Sequence, residues 1–132
     1  MKNLLRSVAG GLFGACMATG VIILIEQISG RLYPPPPGLR YGDTEAMKAF
    51  MASLPTGAFL MVLLAWGLGT FAGAWVCAKV AGRAKLGHAL FLATLLLVAG
   101  VSNMLVMPHP IWMWPSAFAV FAGAGVAGGR LA

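Results

Sequence analysis

Residues 55–79, PTGAFLMVLLAWGLGTFAGAWVCAK, decide the fold of this chain. No charged residue occurs between Pro55 and Lys79. The stretch is longer than the about 20 apolar residues that a helix needs to cross a bilayer. It therefore predicts a membrane-spanning helix, because a backbone surrounded by lipid must satisfy its hydrogen bonds within itself.

Three further apolar stretches flank this one. Together they predict four spans, near residues 5–28, 55–79, 88–107 and 111–131. The connections between the last three spans are so short that the helices they join must be antiparallel neighbours. The predicted fold class is thus an all-α integral membrane protein, an antiparallel four-helix transmembrane bundle that forms one domain of residues 1–132.

The composition excludes the main alternatives to a membrane protein. Hydrophobic residues make up 60% of the 132 residues and charged residues only 9%, whereas an average soluble domain has about 25% charged residues. So few charges cannot cover the surface of a soluble domain, and so apolar a chain is incompatible with intrinsic disorder. Cys16 and Cys77 fall within apolar stretches, so we expect packing residues rather than a disulfide or metal ligands.

The first span has an alternative interpretation as a cleaved secretory signal. Lys2 and Arg6 precede an apolar stretch, as they would in such a signal. Residues 12–16, LFGAC, also resemble a lipoprotein cleavage site. However, the apolar run continues past Cys16 to Ile28, which makes it long enough to span a bilayer. We therefore expect an uncleaved span.

The only sizeable segment between the spans is residues 29–54, which we expect to be extracytoplasmic. Its four consecutive prolines, Pro34–Pro37, cannot be helical and predict a stiff extended strut that ends the first helix. Asp43 and Glu45 are typical of a helix start. Four apolar residues then share one helical face: Met47, Phe50, Met51 and Leu54. We expect a short amphipathic helix over residues 45–54, on the membrane interface or folded back over the bundle.

The charges are divided unequally between the two ends of the predicted bundle. One end carries six basic residues and no acid: Lys2, Arg6, Lys79, Arg83, Lys85 and Arg130. The other end carries three acids and three bases: Glu26, Asp43, Glu45, Arg31, Arg40 and Lys48. The positive-inside rule then predicts that both termini lie in the cytoplasm. The scattered basic residues form no stripe for nucleic acid, so we expect no such partner.

The chain contains 18 glycines, many of them within the spans. Small residues let helix backbones approach closely in lipid. Six glycines occur in pairs four residues apart and are predicted to pack helices: Gly10, Gly14, Gly69, Gly73, Gly125 and Gly129. We expect these contacts within one bundle. The alternative is a free glycine face for a homo-oligomer or a larger membrane-protein partner.

Few polar residues lie in or near the spans. Glu26 is the only acid among them; it is either a carboxylate that binds a proton or cation, or an interfacial residue paired with Arg31. Its helical face, which also carries Gly11, Ala15 and Thr19, is expected to point inward. Asn103 is expected to hydrogen-bond to another helix, and His109 to be a turn residue or a ligand. The predicted pocket, at the non-cytoplasmic mouth, comprises Glu26, Gln27, Asn103, His109, Trp112 and Trp114.

Two functions fit these features. The pocket would bind or conduct a small cation or proton, or bind a lipid headgroup, with membrane lipids as partners. Alternatively, the chain is a structural or accessory subunit that packs through its glycine faces. No catalytic motif such as HExxH, GxSxG or a phosphate loop occurs, so we expect no enzyme, cofactor or metal site.

Three motifs carry a resemblance to a known group of proteins. Residues 33–38 (YPPPPG), 53–59 (SLPTGAF) and 108–114 (PHPIWMW) resemble a family of small, uncharacterised four-span bacterial inner-membrane proteins. The resemblance covers most of the chain. It implies the four-span layout and assigns no functional residue.

Overall fold

The computed structural model describes all 132 residues, and the chain is helical throughout, with no strand. It has five helices: α1 (Lys2–Leu32), α2 (Thr44–Ser53), α3 (Thr56–Ala81), α4 (Lys85–Val106) and α5 (Met113–Leu131). The predicted all-α class is therefore confirmed. The short second helix lies one residue earlier than the predicted residues 45–54.

Three of the helices, α1, α3 and α4, are long and apolar enough to cross a membrane. These three helices indicate a membrane protein. Helix α5 has 19 residues and is not one of these three, because its four glycines, Pro115 and Arg130 make it less apolar. It nevertheless packs along both α3 and α4.

Proline chemistry fixes the end of α1. The helix continues past the predicted boundary to Leu32, and Tyr33 then leaves the helical conformation, because a residue that precedes a proline disfavours it. The sequence predicted one extended strut over the four prolines, and the structure differs from this prediction. Pro37 and Gly38 make a turn in which Leu39 N donates to Pro36 O at 3.2 Å. Gly38 has φ +83°, as a proline–glycine turn requires.

Helix α3 is the centre of the packing. It contacts α1, α4 and α5, and α4 also contacts α5. Helix α1 touches α4 at few points and α5 at none. The four long helices therefore form a rhombus in which α1 and α5 occupy opposite corners, and the seam between α1 and α4 is loosely closed.

Backbone contact joins α1 to α3. A Cβ atom on Gly14 would lie 2.7 Å from the carbonyl oxygen of Gly73, and one on Gly73 would lie 2.6 Å from the carbonyl oxygen of Gly14. Gly10 is equally close to the carbonyl oxygen of Cys77, and Gly69 approaches Ala18. Only residues without a large side chain permit this approach.

Helix α5 packs on its neighbours in a similar way. A Cβ atom on Gly125 would lie 2.6 Å from Ala93 Cβ, and one on Gly129 would lie 2.8 Å from Ala89 Cβ. The six glycines chosen from the sequence thus all lie between helices of this chain: Gly10, Gly14, Gly69, Gly73, Gly125 and Gly129.

The buried face of α1 differs from the face inferred from the sequence. The buried residues are Gly10, Gly14, Ala18 and Ile25. The expected face, with Gly11 and Glu26, is one residue further along and hence rotated by about 100° around the helix. The reason is the glycine contact with α3, which turns Gly10 and Gly14 inward and leaves Glu26 at the edge of the packed face.

Gly14→Ala should destabilise the chain, because the added methyl group has no room between α1 and α3. We expect a loss of about 1–3 kcal/mol, the usual cost of overpacking. Gly20→Ala is the matched control, since Gly20 is in the same helix with nothing within 4 Å of an added Cβ. The measurement is denaturant unfolding in detergent micelles. Equal stability of the two variants would show that the glycine contact does not hold α1 on α3.

Candidate binding cavity under helix α2

Helix α2 begins at a side-chain cap and covers one end of the long helices. Ala46 N donates to Asp43 Oδ1 at 3.1 Å, so Asp43 caps the helix as predicted. Glu45 lies in the first turn and pairs with Lys48 at 3.5 Å. Met47 is buried, and Met51 packs against the buried apolar cluster of α3, α4 and α5. The amphipathic helix is therefore folded back over the chain.

A cavity of about 270 Å³ lies under α2. Its roof is formed by Met47, Phe50 and Met51 of α2. Its walls come from the last turns of α1, the first turns of α3, the end of α4 and the turn that follows it: Glu26, Tyr33, Ala58, Phe59, Val62, Asn103 and His109. Apolar and aromatic side chains dominate this lining, with few polar groups.

Glu26 is the only acidic residue that lines the cavity. Its carboxylate forms no ion pair, because the only ion pair of the chain joins Lys48 to Glu45. The pairing with Arg31 considered from the sequence is therefore absent. Arg31 lines the same surface depression as Glu26, but the two are five residues apart, and helical ion pairs need a spacing of three or four residues.

Asn103 differs from its expected role. The expected hydrogen bond to another helix is absent, because α1 is too loosely packed on α4 to supply a partner. Instead, Asn103 is exposed and lines the cavity under α2. It also borders a smaller cavity of about 140 Å³ in the seam between α1 and α4, next to Ile22, Trp66 and Gly100.

His109 is held at the cavity by its own turn. Its Nδ1 lies 2.8 Å from the carbonyl oxygen of Met107. A carbonyl oxygen only accepts, so Nδ1 donates, and Nε2 of the neutral ring keeps a free lone pair. The ring packs edge-on to Phe59, with centroids 5.9 Å apart, and lies 6.3 Å from the ring of Trp66. His109 is thus both a turn residue and a lining residue.

Three of the six pocket residues inferred from the sequence line the cavity, and three do not. Gln27 lines a neighbouring depression on α1, which Glu26 and Arg31 also border. Trp112 and Trp114 belong to the start of α5, which lies at the corner opposite α1 and so cannot reach the Glu26 side.

The tyrosines of the loop were not among the six predicted pocket residues. Tyr33 and Tyr41 both line the cavity, and Tyr33 also packs against Gly57 at the start of α3. The amphipathic helix was expected from its apolar face to fold back over the bundle as a lid, and α2 forms the roof of the cavity.

Asp43→Ala should loosen α2, because a helix of ten residues is marginal without its cap. Loss of such a cap costs about 1 kcal/mol. We expect about five-fold faster amide exchange over residues 44–53, measured by hydrogen–deuterium exchange with mass spectrometry. Asp43→Asn is the control, since asparagine caps helices as well as aspartate does. Unchanged exchange in Asp43→Ala would contradict the assigned cap.

The chemistry of the cavity must be judged from its own residues. No family model, no curated protein and no solved structure matches this chain. No group of three or more His, Cys, Asp or Glu side chains comes together anywhere. The cavity instead offers one carboxylate without a counter-charge, one amide and one imidazole, within aromatic and methionine walls. Such a lining suits a small cation that carries apolar substituents.

Proposed function

We propose that this chain is a small inner-membrane protein that binds an organic ammonium group in the cavity under α2. The ammonium group is that of a free small molecule or of a lipid headgroup. The observation that carries the proposal is the carboxylate of Glu26, which borders an aromatic cavity and has no ion-pair partner. Glu26 is an exposed residue of α1, and ionisable side chains in or near a membrane span often mark functional sites.

The walls favour an organic cation over a metal ion. A calcium or magnesium ion takes six or more oxygen ligands, and the cavity supplies Glu26 and Asn103 with no further acid. Tyr33, Tyr41 and Phe59 present aromatic rings instead, which attract ammonium groups through their faces. The volume of about 270 Å³ is at the lower end of ligand pockets, so the ligand is the size of a headgroup.

Binding is favoured over conduction of a proton or cation. A conducting path would need polar groups along the seam below Asn103. The next cavity in the seam is lined by Ile22, Leu96, Ala99 and other residues that carry no charge. An ion would lose its hydration there without compensation.

We further propose that α5 is a fourth span. It runs beside α3, with Gly67 close to Val120, Gly128 close to Phe71, and Trp75 Nε1 donating to the carbonyl oxygen of Leu131 at 3.3 Å. The six basic residues at the end of the chain away from α2 support a cytoplasmic position for that end, with α2 outside. This layout agrees with the resemblance to four-span inner-membrane proteins. The alternative of an accessory subunit has less support, because the six glycines that would contact a partner pack against other helices of the same chain.

Glu26→Gln should weaken binding of tetramethylammonium about ten-fold, since the Coulomb attraction of two unit charges about 4 Å apart is worth about 1–4 kcal/mol near a protein surface. The measurement is ligand line broadening by NMR, with protein in nanodiscs of phosphatidylglycerol. Glu45→Gln is the matched control, because it removes the same charge from the exposed side of α2. Equal affinity of both variants and the wild type would rule out the ammonium site.

The same assay separates the two sources of the ligand. If the natural ligand is a lipid headgroup, phosphatidylethanolamine in the nanodisc will compete with tetramethylammonium for the wild type and will have little effect on Glu26→Gln. If the natural ligand is a free molecule, the added lipid will leave the wild-type affinity unchanged.

The topology can be tested with single cysteines in a chain whose Cys16 and Cys77 are replaced by alanine. We expect Gly42→Cys and Ile111→Cys to react with a membrane-impermeant maleimide in intact spheroplasts. Arg83→Cys and Arg130→Cys should react only after the membrane is permeabilised. Labelling of Arg130→Cys from outside would contradict the fourth span, and a reversed pattern at all four positions would contradict the orientation.

A further inference from the structure

A second cavity lies in the same seam between α1 and α4, at the end opposite α2. It is a groove of about 660 Å³. Small residues leave it open, because Gly11 and Ala15 on α1 face Gly87 on α4 across it. Its lining is mainly apolar, and several of these side chains are exposed on the outer surface of the helices: Val8, Leu12, Phe91 and Leu95. Such a groove would open sideways into the hydrocarbon of a membrane.

A series of hydrogen bonds through His88 and Ser7 closes the groove at its outer end. His88 Nδ1 lies 3.1 Å from the carbonyl oxygen of Ala84, and His88 Nε2 lies 2.9 Å from Ser7 Oγ. Ser7 Oγ in turn donates to the carbonyl oxygen of Asn3 at 3.0 Å. The two carbonyl oxygens can only accept, so three bonds need three protons. A doubly protonated ring and the serine hydroxyl supply all three, whereas a neutral ring leaves one bond without a proton.

Arg6 precedes Ser7 in the sequence but does not line the groove; its side chain is positioned by the turn between α3 and α4. Its Nε donates to the carbonyl oxygen of Val80 at 3.2 Å, and its guanidinium lies over Gly82, where a Cβ atom would be 2.5 Å from Nη2. No side chain accepts a hydrogen bond from Arg6, and no acid pairs with it. Its terminal nitrogens are therefore available to an anion.

The charges at this end are complementary to an anionic headgroup. Six basic residues and no acid lie here, because all three acids lie at the α2 end. Helix α4 also begins here without a side-chain N-cap, so its first amides add partial positive charge. Basic pockets between helices on the cytoplasmic side typically hold anionic lipid headgroups.

We propose that this groove binds one anionic phospholipid. An acyl chain lies against Val8, Leu12, Phe91 and Leu95, and the phosphate accepts hydrogen bonds from Arg6 at the end closed by Ser7 and His88. The guanidinium matches a phosphate geometrically, since it can donate two parallel hydrogen bonds. This site is separate from the cavity under α2, and it stands or falls independently of the ammonium ligand.

The test uses native mass spectrometry of the full chain released from micelles that contain equal amounts of phosphatidylglycerol and phosphatidylcholine. The wild type should retain one phosphatidylglycerol in preference to phosphatidylcholine. Gly11→Leu fills the groove and should abolish this preference. Gly123→Leu is the matched control, because Gly123 is an exposed glycine of α5 and neither position has an atom within 4 Å of an added Cβ.

A second pair of variants distinguishes a built site from general attraction to a basic surface. Arg6→Gln should weaken phosphatidylglycerol retention about five-fold, the effect of one basic residue near a lipid surface. Arg130→Gln removes the same charge from the same end, on α5 and away from the groove, and should have little effect. Equal losses in Arg6→Gln and Arg130→Gln, or equal retention by Gly11→Leu and Gly123→Leu, would overturn the proposal. Unfolding midpoints of all four variants confirm that the chain remains folded.

Discussion

The backbone contact between α1 and α3 is the constraint on which the remaining packing depends. Gly14 and Gly73 approach so closely that neither could carry a side chain without displacing the other helix. Because α1 uses its glycine face on α3, it presents a different and less complementary face to α4. The two helices consequently touch at few points, and every internal cavity described above borders their seam or its end. The close packing of α1 on α3 thus accounts for the loose packing of α1 on α4.

The two ends of the seam differ in chemistry because the chain closes them differently. At one end the closure is α2, a short helix whose Met47 and Met51 face the long helices, so flexible and aromatic side chains line the space below it. At the other end the Ser7–His88 hydrogen bond closes the seam, and exposed apolar side chains line the groove. A cavity with one carboxylate suits a small cation, whereas an apolar groove at the basic end suits an anionic lipid.

Much of the fold could be predicted from local sequence properties. The apolar stretches, the cap at Asp43 and the apolar face of α2 depend on neighbouring residues alone. The sequence predicted two packed faces of α1, one through Gly10 and Gly14 and one through Gly11 and Glu26, and only the position of α3 decides that the first is the buried one. Only half of the predicted pocket residues line the cavity, namely Glu26, Asn103 and His109. The position of Trp112 depends on where α5 packs, which the sequence pattern does not determine. The absence of a hydrogen bond from Asn103 to another helix could not be predicted either, because no sequence pattern indicates how closely α1 packs on α4.

The seam contains two sites rather than one continuous path. Between them, Leu92 of α4 reaches across to α1, where its Cδ2 lies 2.9 Å from the position that a Cβ on Gly14 would occupy. Leu92 is buried, and the leucines that follow it along the seam toward α2, Leu95 and Leu96, are also apolar. A charged group that moved from Glu26 to His88 would have to pass this leucine contact without a polar partner, which lipid-embedded proteins avoid. The glycine that holds α1 on α3 therefore also receives the side chain that separates the two cavities, so a single contact fixes both the packing of the helices and the independence of the sites.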